Sequence, residues 1–286
     1  MSRIVYVNGR YVPWADAAVH AEDRGFQFAD AVYEVCEVAG GRLVDEARHV
    51  TRLMRSLGEL AMLPPMSAAA LARVLRETVR RNRVRDGSVY LQVSRGARAR
   101  DFLFPGEGVA PTVVCVARSS SRAKAEAQAA AGIAVKTMPE IRWQRCDIKT
   151  VMLLPASLAK EAARAEGAKE AWFVDADGHV LEGASSNAWI LDEAGRLITR
   201  HTDTGILRGI TRSVVADLAS RERIEVLERP FTVAEAKRAR EAFITSATNT
   251  VMPVVRIDGT AVGDGKPGRF ALELRRMFHT QAQISD

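Results

Sequence analysis

The chain has few cysteines for its 286 residues. Cys36, Cys115 and Cys146 are far apart, odd in number and in no C-x-x-C spacing. That excludes a disulfide framework and a cysteine-based zinc site, and it suits a reducing compartment. No apolar run of eighteen residues occurs, which excludes a membrane-spanning helix. An apolar signal core is also missing: Met1 to Arg10 alternates like a strand, so no export signal is read and the cytoplasm is expected. Repeats and low-complexity tails are absent. No sign of charge dominates either: 41 Lys and Arg against 35 Asp and Glu leave a formal charge of +6. The arginines are interleaved with acids, as in Arg76-Glu77 and Arg221-Glu222-Arg223, which is the pattern of a solvated surface. No nucleic-acid motif accompanies them, so neither nucleic acid nor membrane is expected as a partner.

What is present is a globular composition, 47% hydrophobic and 27% charged, in a chain long enough for two domains. Asn8-Gly9 between two short apolar runs, Ile4–Val7 and Arg10–Val12, predicts a hairpin. A second pair, Val32–Val38 and Arg42–Val44, flanks Gly40-Gly41. Leu53, Met54, Leu57 and Leu60 give Glu46–Met62 a helical period that ends before Pro64-Pro65. Ser67 suits the N-cap of a helix to about Arg83, and Ser88–Ser94 and Thr112–Ala117 read as strands. Residues 119–131, with a Ser run and then Ala, Lys, Glu and Gln, read as a linker holding some helix. Beyond it strands are expected at Ile133–Thr137, Glu170–Val174, Val180-Leu181, Asn187–Leu191, Glu225–Leu227, Ala242–Ser246 and Val254–Ile257. Helices are expected at Leu153–Glu166, closed by Gly167, at Gly209–Arg223 and at Val233–Arg238. Mixed elements in two halves argue an α/β or α+β fold. The domains are then 1–118 and 132–286.

Several strings can carry chemistry. Lys149 lies in Ile141-Arg142-Trp143-Gln144-Arg145-Cys146-Asp147-Ile148-Lys149-Thr150; a lone lysine is by default a solvated charge. Glu182, thirty-three residues on, opens Glu182-Gly183-Ala184-Ser185-Ser186-Asn187, which alone reads as a turn. Gly209-Ile210-Thr211-Arg212 opens a predicted helix, where backbone N–H groups and a hydroxyl can hold an anion. Thr245-Ser246-Ala247-Thr248 follows a strand, a favoured ligand position, although a plain polar turn would look the same. Together the Lys149 run and the Glu-Gly-x-Ser-Ser-Asn turn resemble the class IV aminotransferases, enzymes of pyridoxal 5′-phosphate (PLP). The likeness spans nearly the whole chain and is greatest to bacterial D-amino acid aminotransferases.

The resemblance implies a two-domain class IV fold with PLP at the domain interface and a homodimer in solution. It gives Lys149 the Schiff-base role and the proton shuttle, and sets Glu182 against the ring nitrogen. His49-Val50-Thr51-Arg52-Leu53 matches the family's H-x-x-R-L string, so Arg52 is the expected phosphate ligand, where a guanidinium fork suits a dianion. Ile210, Thr211, Ser246 and Ala247 join the phosphate set; the D-amino acid enzymes usually carry Thr where Ala247 stands. Ser186 and Asn187 complete the cofactor set. Tyr33, at the end of Glu22-Asp23-Arg24-Gly25-Phe26-Gln27-Phe28-Ala29-Asp30-Ala31-Val32-Tyr33, is expected to face the cofactor and help hold the substrate carboxylate, with Thr248 near it. The loop Arg95-Gly96-Ala97-Arg98-Ala99-Arg100-Asp101-Phe102 matches one that in the family reaches the partner's site. Arg100 matches its arginine, Phe102 stands where a histidine is usual, and Arg98 is a second cation there. The implied reaction is ping-pong transfer of an amino group from a D-amino acid to a 2-oxo acid, with (R)-primary amines as further donors. The alternatives are a branched-chain L-amino acid aminotransferase, an (R)-amine transaminase, an aminodeoxychorismate lyase, and a non-catalytic binding protein on this fold.

Overall fold

A computed structural model describes residues 3–281. The chain divides into two compact units. Residues 3–122 and Ile148–Met152 form the first; Ala123–Asp147 and residues 153–281 form the second.

The first unit starts with the expected hairpin, β1 (Ile4–Val7) and β2 (Arg10–Pro13). Asn8 and Gly9 have φ of 44° and 90°, the left-handed pair that a two-residue turn needs. There follow α1 (Arg24–Phe28), β3 (Ala31–Ala39), β4 (Arg42–Leu43), α2 (Glu46–Glu59), α3 (Ala68–Arg81), β5 (Gly87–Ser94) and β6 (Thr112–Ser119). The strands make one antiparallel sheet in the order β2-β1-β6-β5-β3-β4. Period 2 sends Val32, Cys36, Val38, Val89, Leu91 and Cys115 to one face, where they are buried with Leu53 and Leu57 of α2 and Leu71 and Leu75 of α3. Each of these leucines is worth roughly 1.5–3 kcal/mol of burial. Ser67 caps α3, its hydroxyl accepting from Ala70 N–H at 3.3 Å. Helix α1 has no counterpart in the sequence reading; it is five residues long and rests on Asp23, whose Oδ1 accepts from Gly25 and Phe26 N–H.

The second unit holds α4 (Arg122–Ala131), β7 (Ile133–Pro139), α5 (Leu154–Ala165), β8 (Glu170–Val174), β9 (Val180–Gly183), β10 (Asn187–Leu191) and β11 (Leu197–Thr199). It continues through α6 (Ile210–Arg221), β12 (Val226–Glu228), α7 (Val233–Arg238), β13 (Glu241–Ser246), β14 (Thr250–Ile257), β15 (Thr260–Ala261) and α8 (Arg269–Gln281). The sheet runs β12-β11-β10-β13-β14-β7-β8-β9, with β15 beside β14. It is parallel at β11–β12, β14–β7 and β7–β8 and antiparallel elsewhere. Every residue of β10 is buried, the mark of a strand covered on both faces. The core includes Trp172, Ile190, Phe231 and Ile244.

Further features go beyond what the sequence led one to expect. Residues 119–131, expected to hold some helix, are mostly α4, and Ala129 is buried in the second unit's core. Ile148–Met152 groups with the first unit because its backbone bonds there: Tyr33 N–H donates to Lys149 O at 3.0 Å and Val151 N–H to Ala31 O at 3.1 Å. Helix α8 is absent from that reading, although Ala271, Leu274 and Phe278 are buried at helical spacing. No described helix is long and apolar enough to cross a membrane.

Candidate active site

In the first unit the site residues gather on β3 and its neighbours. The Tyr33–Lys149 backbone bond fixes the lysine beside that strand, and Lys149 Nζ lies 4.2 Å from the centroid of the Tyr33 ring. Among the described residues no carboxylate pairs with this amine. The Tyr33 ring also lies 5.5 Å from that of Tyr90. Burial first, and Tyr33 second, push the Tyr90 phenol above its ordinary range. Its hydroxyl donates to Gln92 Oε1 at 2.6 Å.

The next residue of β3, Glu34, points the other way, into the helix-covered face. Arg52 of α2 meets it as a fork, Nε to Oε1 at 2.7 Å and Nη2 to Oε2 at 2.8 Å, and His49 Nδ1 is 2.8 Å from Oε2. Burial raises this carboxyl; the charge and hydrogen bonds of Arg52 and His49 lower it, and they win, holding it at about 2. Arg52 is therefore seated by a buried partner and does not wander on the helix surface.

The loop carrying Arg98, Arg100 and Phe102 is exposed, with Phe102 79% accessible. The Phe102 ring packs edge-on to Phe28 at 5.7 Å, and the Arg100 guanidinium lies over both rings at 5.1 and 5.5 Å. Buried Arg24 anchors the loop: Nη1 donates to Asp101 O at 2.7 Å and Leu103 O at 3.3 Å, on either side of Phe102. Its Nε goes to Asp30, which Arg95 shares. No hydrogen bond or ring contact among the described residues joins this loop to Tyr33 or Lys149.

In the second unit the residues converge on Asn187. Glu182 is buried; its Oε1 accepts from Arg142 Nη1 at 2.5 Å, and its Oε2 from Asn187 Nδ2 at 3.0 Å and Leu207 N–H at 3.1 Å. Gly209 abuts Asn187 so closely that a Cβ there would stand 2.1 Å from Asn187 Oδ1. Only glycine lets α6 start at this point. Having no side chain, Gly209 also leaves the first turn of α6, with Ile210 and buried Thr211, without a side-chain cap. Across the β10–β13 pair Asn187 faces Thr245, which sets the turn of Ser246, Ala247 and Thr248 beside it. Ser246 Oγ accepts from Asn249 N–H at 3.1 Å, and Thr248 is exposed. Arg275 of α8 holds the far side of that turn through Asn249 O and Val251 O. Ser186 is the exception. Its hydroxyl, like that of Ser185, donates to the buried Glu170, at 3.1 and 2.7 Å.

Glu34, Arg142, Glu170 and Arg275 are not among the residues expected from sequence. Arg142 stands inside the Lys149 run, and Glu34 directly follows the string that ends at Tyr33. A charged residue inside a functional string is the available signal.

A lysine amine against an aromatic face, a buried carboxylate with donors on both oxygens, and a helix start open to an anion are what a PLP enzyme asks of its chain. These residues fit the group. Comparison with known proteins agrees. The family model described as amino-transferase class IV matches residues 31–257. A D-alanine aminotransferase of Staphylococcus haemolyticus is 37% identical over 276 residues, 96% of either chain. One of Bacillus licheniformis is 39% identical over 264 residues, 92% of either chain. A solved T.th. branched-chain amino acid aminotransferase with pyridoxamine 5′-phosphate superposes with a TM-score of 0.88 at 25% identity, covering 98% of this chain and 93% of that one. The chain belongs to the class IV aminotransferases. It is an aminotransferase, and its cofactor is PLP.

Proposed function

We propose that the enzyme moves the amino group of a D-amino acid, such as D-alanine, to a 2-oxo acid such as 2-oxoglutarate in two half-reactions. The observation that carries this is the near-complete overlap with relatives named D-alanine aminotransferase. Bound PLP supplies the electron sink for the pair left on the substrate α-carbon. Lys149 would hold the cofactor through Nζ, and its amine would move the proton to and from the substrate α-carbon. Glu182, steadied by Asn187, keeps a proton on the ring nitrogen. Thr211, the amides of Ile210 and Ala247, and the Ser246 hydroxyl cradle the phosphate, with Arg52 as its cation. Ser186 acts through the turn it shares with Glu182, since its hydroxyl is engaged by Glu170.

Tyr33, Arg98, Arg100 and Thr248 hold the substrate carboxylate. Phe102 adds an apolar wall where the family has a histidine, which admits donors without a carboxylate, including (R)-primary amines. The exposed Arg98–Phe102 loop serves the site of a second copy, in a homodimer. The test is a donor panel, D- and L-alanine, D- and L-leucine and (R)-1-phenylethylamine with 2-oxoglutarate, with Lys149→Ala as the blank. D-alanine is expected to lead and (R)-1-phenylethylamine to react measurably. A clear preference for L-leucine would move the protein to the branched-chain group, and turnover by Lys149→Ala would remove the lysine from its role.

A further inference from the structure

We propose that Arg142 is the positioning residue that keeps Glu182 ionised and aimed, as the middle of a chain Glu140–Arg142–Glu182. The inference rests on the assignment of Glu182 to the ring nitrogen.

Arg142 is locked by its surroundings. Nη1 donates to Glu182 Oε1 at 2.5 Å. Nε and Nη2 donate to Glu140 Oε2 at 3.0 and 2.6 Å, and Nη2 also reaches Gly205 O at 3.3 Å. The guanidinium carbon lies 4.4 Å from the centroid of the Phe173 ring. Even its backbone N–H donates to Glu140 Oε1, at 2.6 Å. With every edge engaged, the fork cannot turn, and it offers Glu182 Oε1 a fixed donor.

The charges give this geometry a consequence. Glu140, Arg142 and Glu182 sum to −1, which balances one cation at the ring nitrogen. Without Arg142, Glu182 would lose the charged donor on Oε1 and keep the neutral amide of Asn187 and the Leu207 N–H on Oε2. Burial favours the neutral form of a carboxyl, and a neutral carboxylic acid no longer holds a protonated nitrogen. Two titratable groups nearby, Cys146 and Arg212, do not replace Arg142. Cys146 follows on the same segment, and burial pushes its thiol up to about 12, so it is uncharged at working pH. Arg212 of α6 feels the charge of Glu182, yet its Nη2 goes to Arg200 O and to Glu228. Glu140 is the more exposed carboxylate of the chain, 23% against 6% for Glu182. It anchors the arginine from the wetter side.

The experiment uses holoenzyme of the wild type and of Arg142→Met, Arg142→Lys, Glu140→Gln and Glu182→Gln. Two quantities are read: the pH titration of the cofactor's visible band without substrate, and the D-alanine half-reaction by stopped flow. In the wild type the band is expected to hold steady across neutral pH. Arg142→Met should bring a new titration between about pH 6 and 8 and slow the half-reaction by about tenfold or more. Arg142→Lys should recover part of both, and Glu140→Gln should shift both slightly in the same direction. If Glu182→Gln alters rate and band while Arg142→Met leaves both as in the wild type, the inference is overturned and the role of Glu182 stands. If Glu182→Gln itself changes neither, both fall. Should Arg142→Met fail to fold, Glu140→Gln decides: an unmoved band and an unchanged rate overturn the chain.

Discussion

Glu34 gives a measurable test of how a single buried residue seats another. Its carboxyl is held at about 2 in the folded chain, below the ordinary range, because Arg52 and His49 outweigh its burial. The unfolded chain, with an ordinary glutamate near about 4.3, binds the proton more readily. The stability from this group is therefore complete above the unfolded value and is lost as pH falls toward 2. A shift of roughly two units is on the order of 3 kcal/mol at neutral pH. Glu34→Gln takes the charged partner from Arg52 Nε and Nη2 and should cost about 3–5 kcal/mol at pH 7. The gap in thermal midpoint between variant and wild type should narrow from pH 7 to pH 3. A gap that stays constant would show that the Glu34 charge contributes nothing. Such residues explain what can be read at this scale. Lys149 and Glu182 are singled out because each sits in a string with few other uses. Glu34 and Arg142 are not, because their partners lie eighteen and forty residues away, and only the folded backbone brings them together.

Elements are legible where local chemistry decides them and illegible where tertiary contacts do. The Asn8-Gly9 turn and the Ser67 cap follow from the backbone needs of two or three residues, and both stand where expected. Helix α1 depends on Asp23, and the 119–131 stretch becomes α4 in part because Ala129 has a core to enter. Under the proposed function, the loop after β5 is the element on which specificity turns. Arg24 grips Asp101 O and Leu103 O, so the loop's course is set by backbone contacts and not by the Phe102 side chain. A substitution at Phe102 should accordingly change chemistry without moving the loop. Phe102→His restores a hydrogen-bond donor, and one to a charged group is worth about 1.5–3 kcal/mol. KM for D-alanine should fall by roughly tenfold, the equivalent of about 1.4 kcal/mol, while the rate with (R)-1-phenylethylamine drops. If neither donor responds, the loop does not face substrate.

At the scale of the whole molecule, the change of pattern near residue 120 suggests two parts, but nothing local announces that Ile148–Met152 groups with residues 3–122. That segment runs from the second unit's chain into the first unit's backbone bonding, a crossing that no local signal announces. The exposed apolar surface is a second property visible only in three dimensions. Phe26, Phe102, Leu103 and Phe104 of the first unit are all largely open to solvent, as are Leu154 and Leu158 of the second. Soluble monomers rarely present such clusters, which instead mark association surfaces. The loop bearing Arg98, Arg100 and Phe102 lies within the first cluster, so covering it and completing a substrate site are one event in the proposed homodimer. Light scattering should then give twice the 31.3 kDa of one chain. Leu103→Asp, which puts a charge into that surface and leaves the Arg24 contact to the Leu103 carbonyl intact, should shift the mass toward the monomer. Activity on D-alanine should fall in proportion to the dimer lost, and raising the protein concentration should recover it. A species of monomer mass with full activity would separate the two and leave each chain sufficient for its own site.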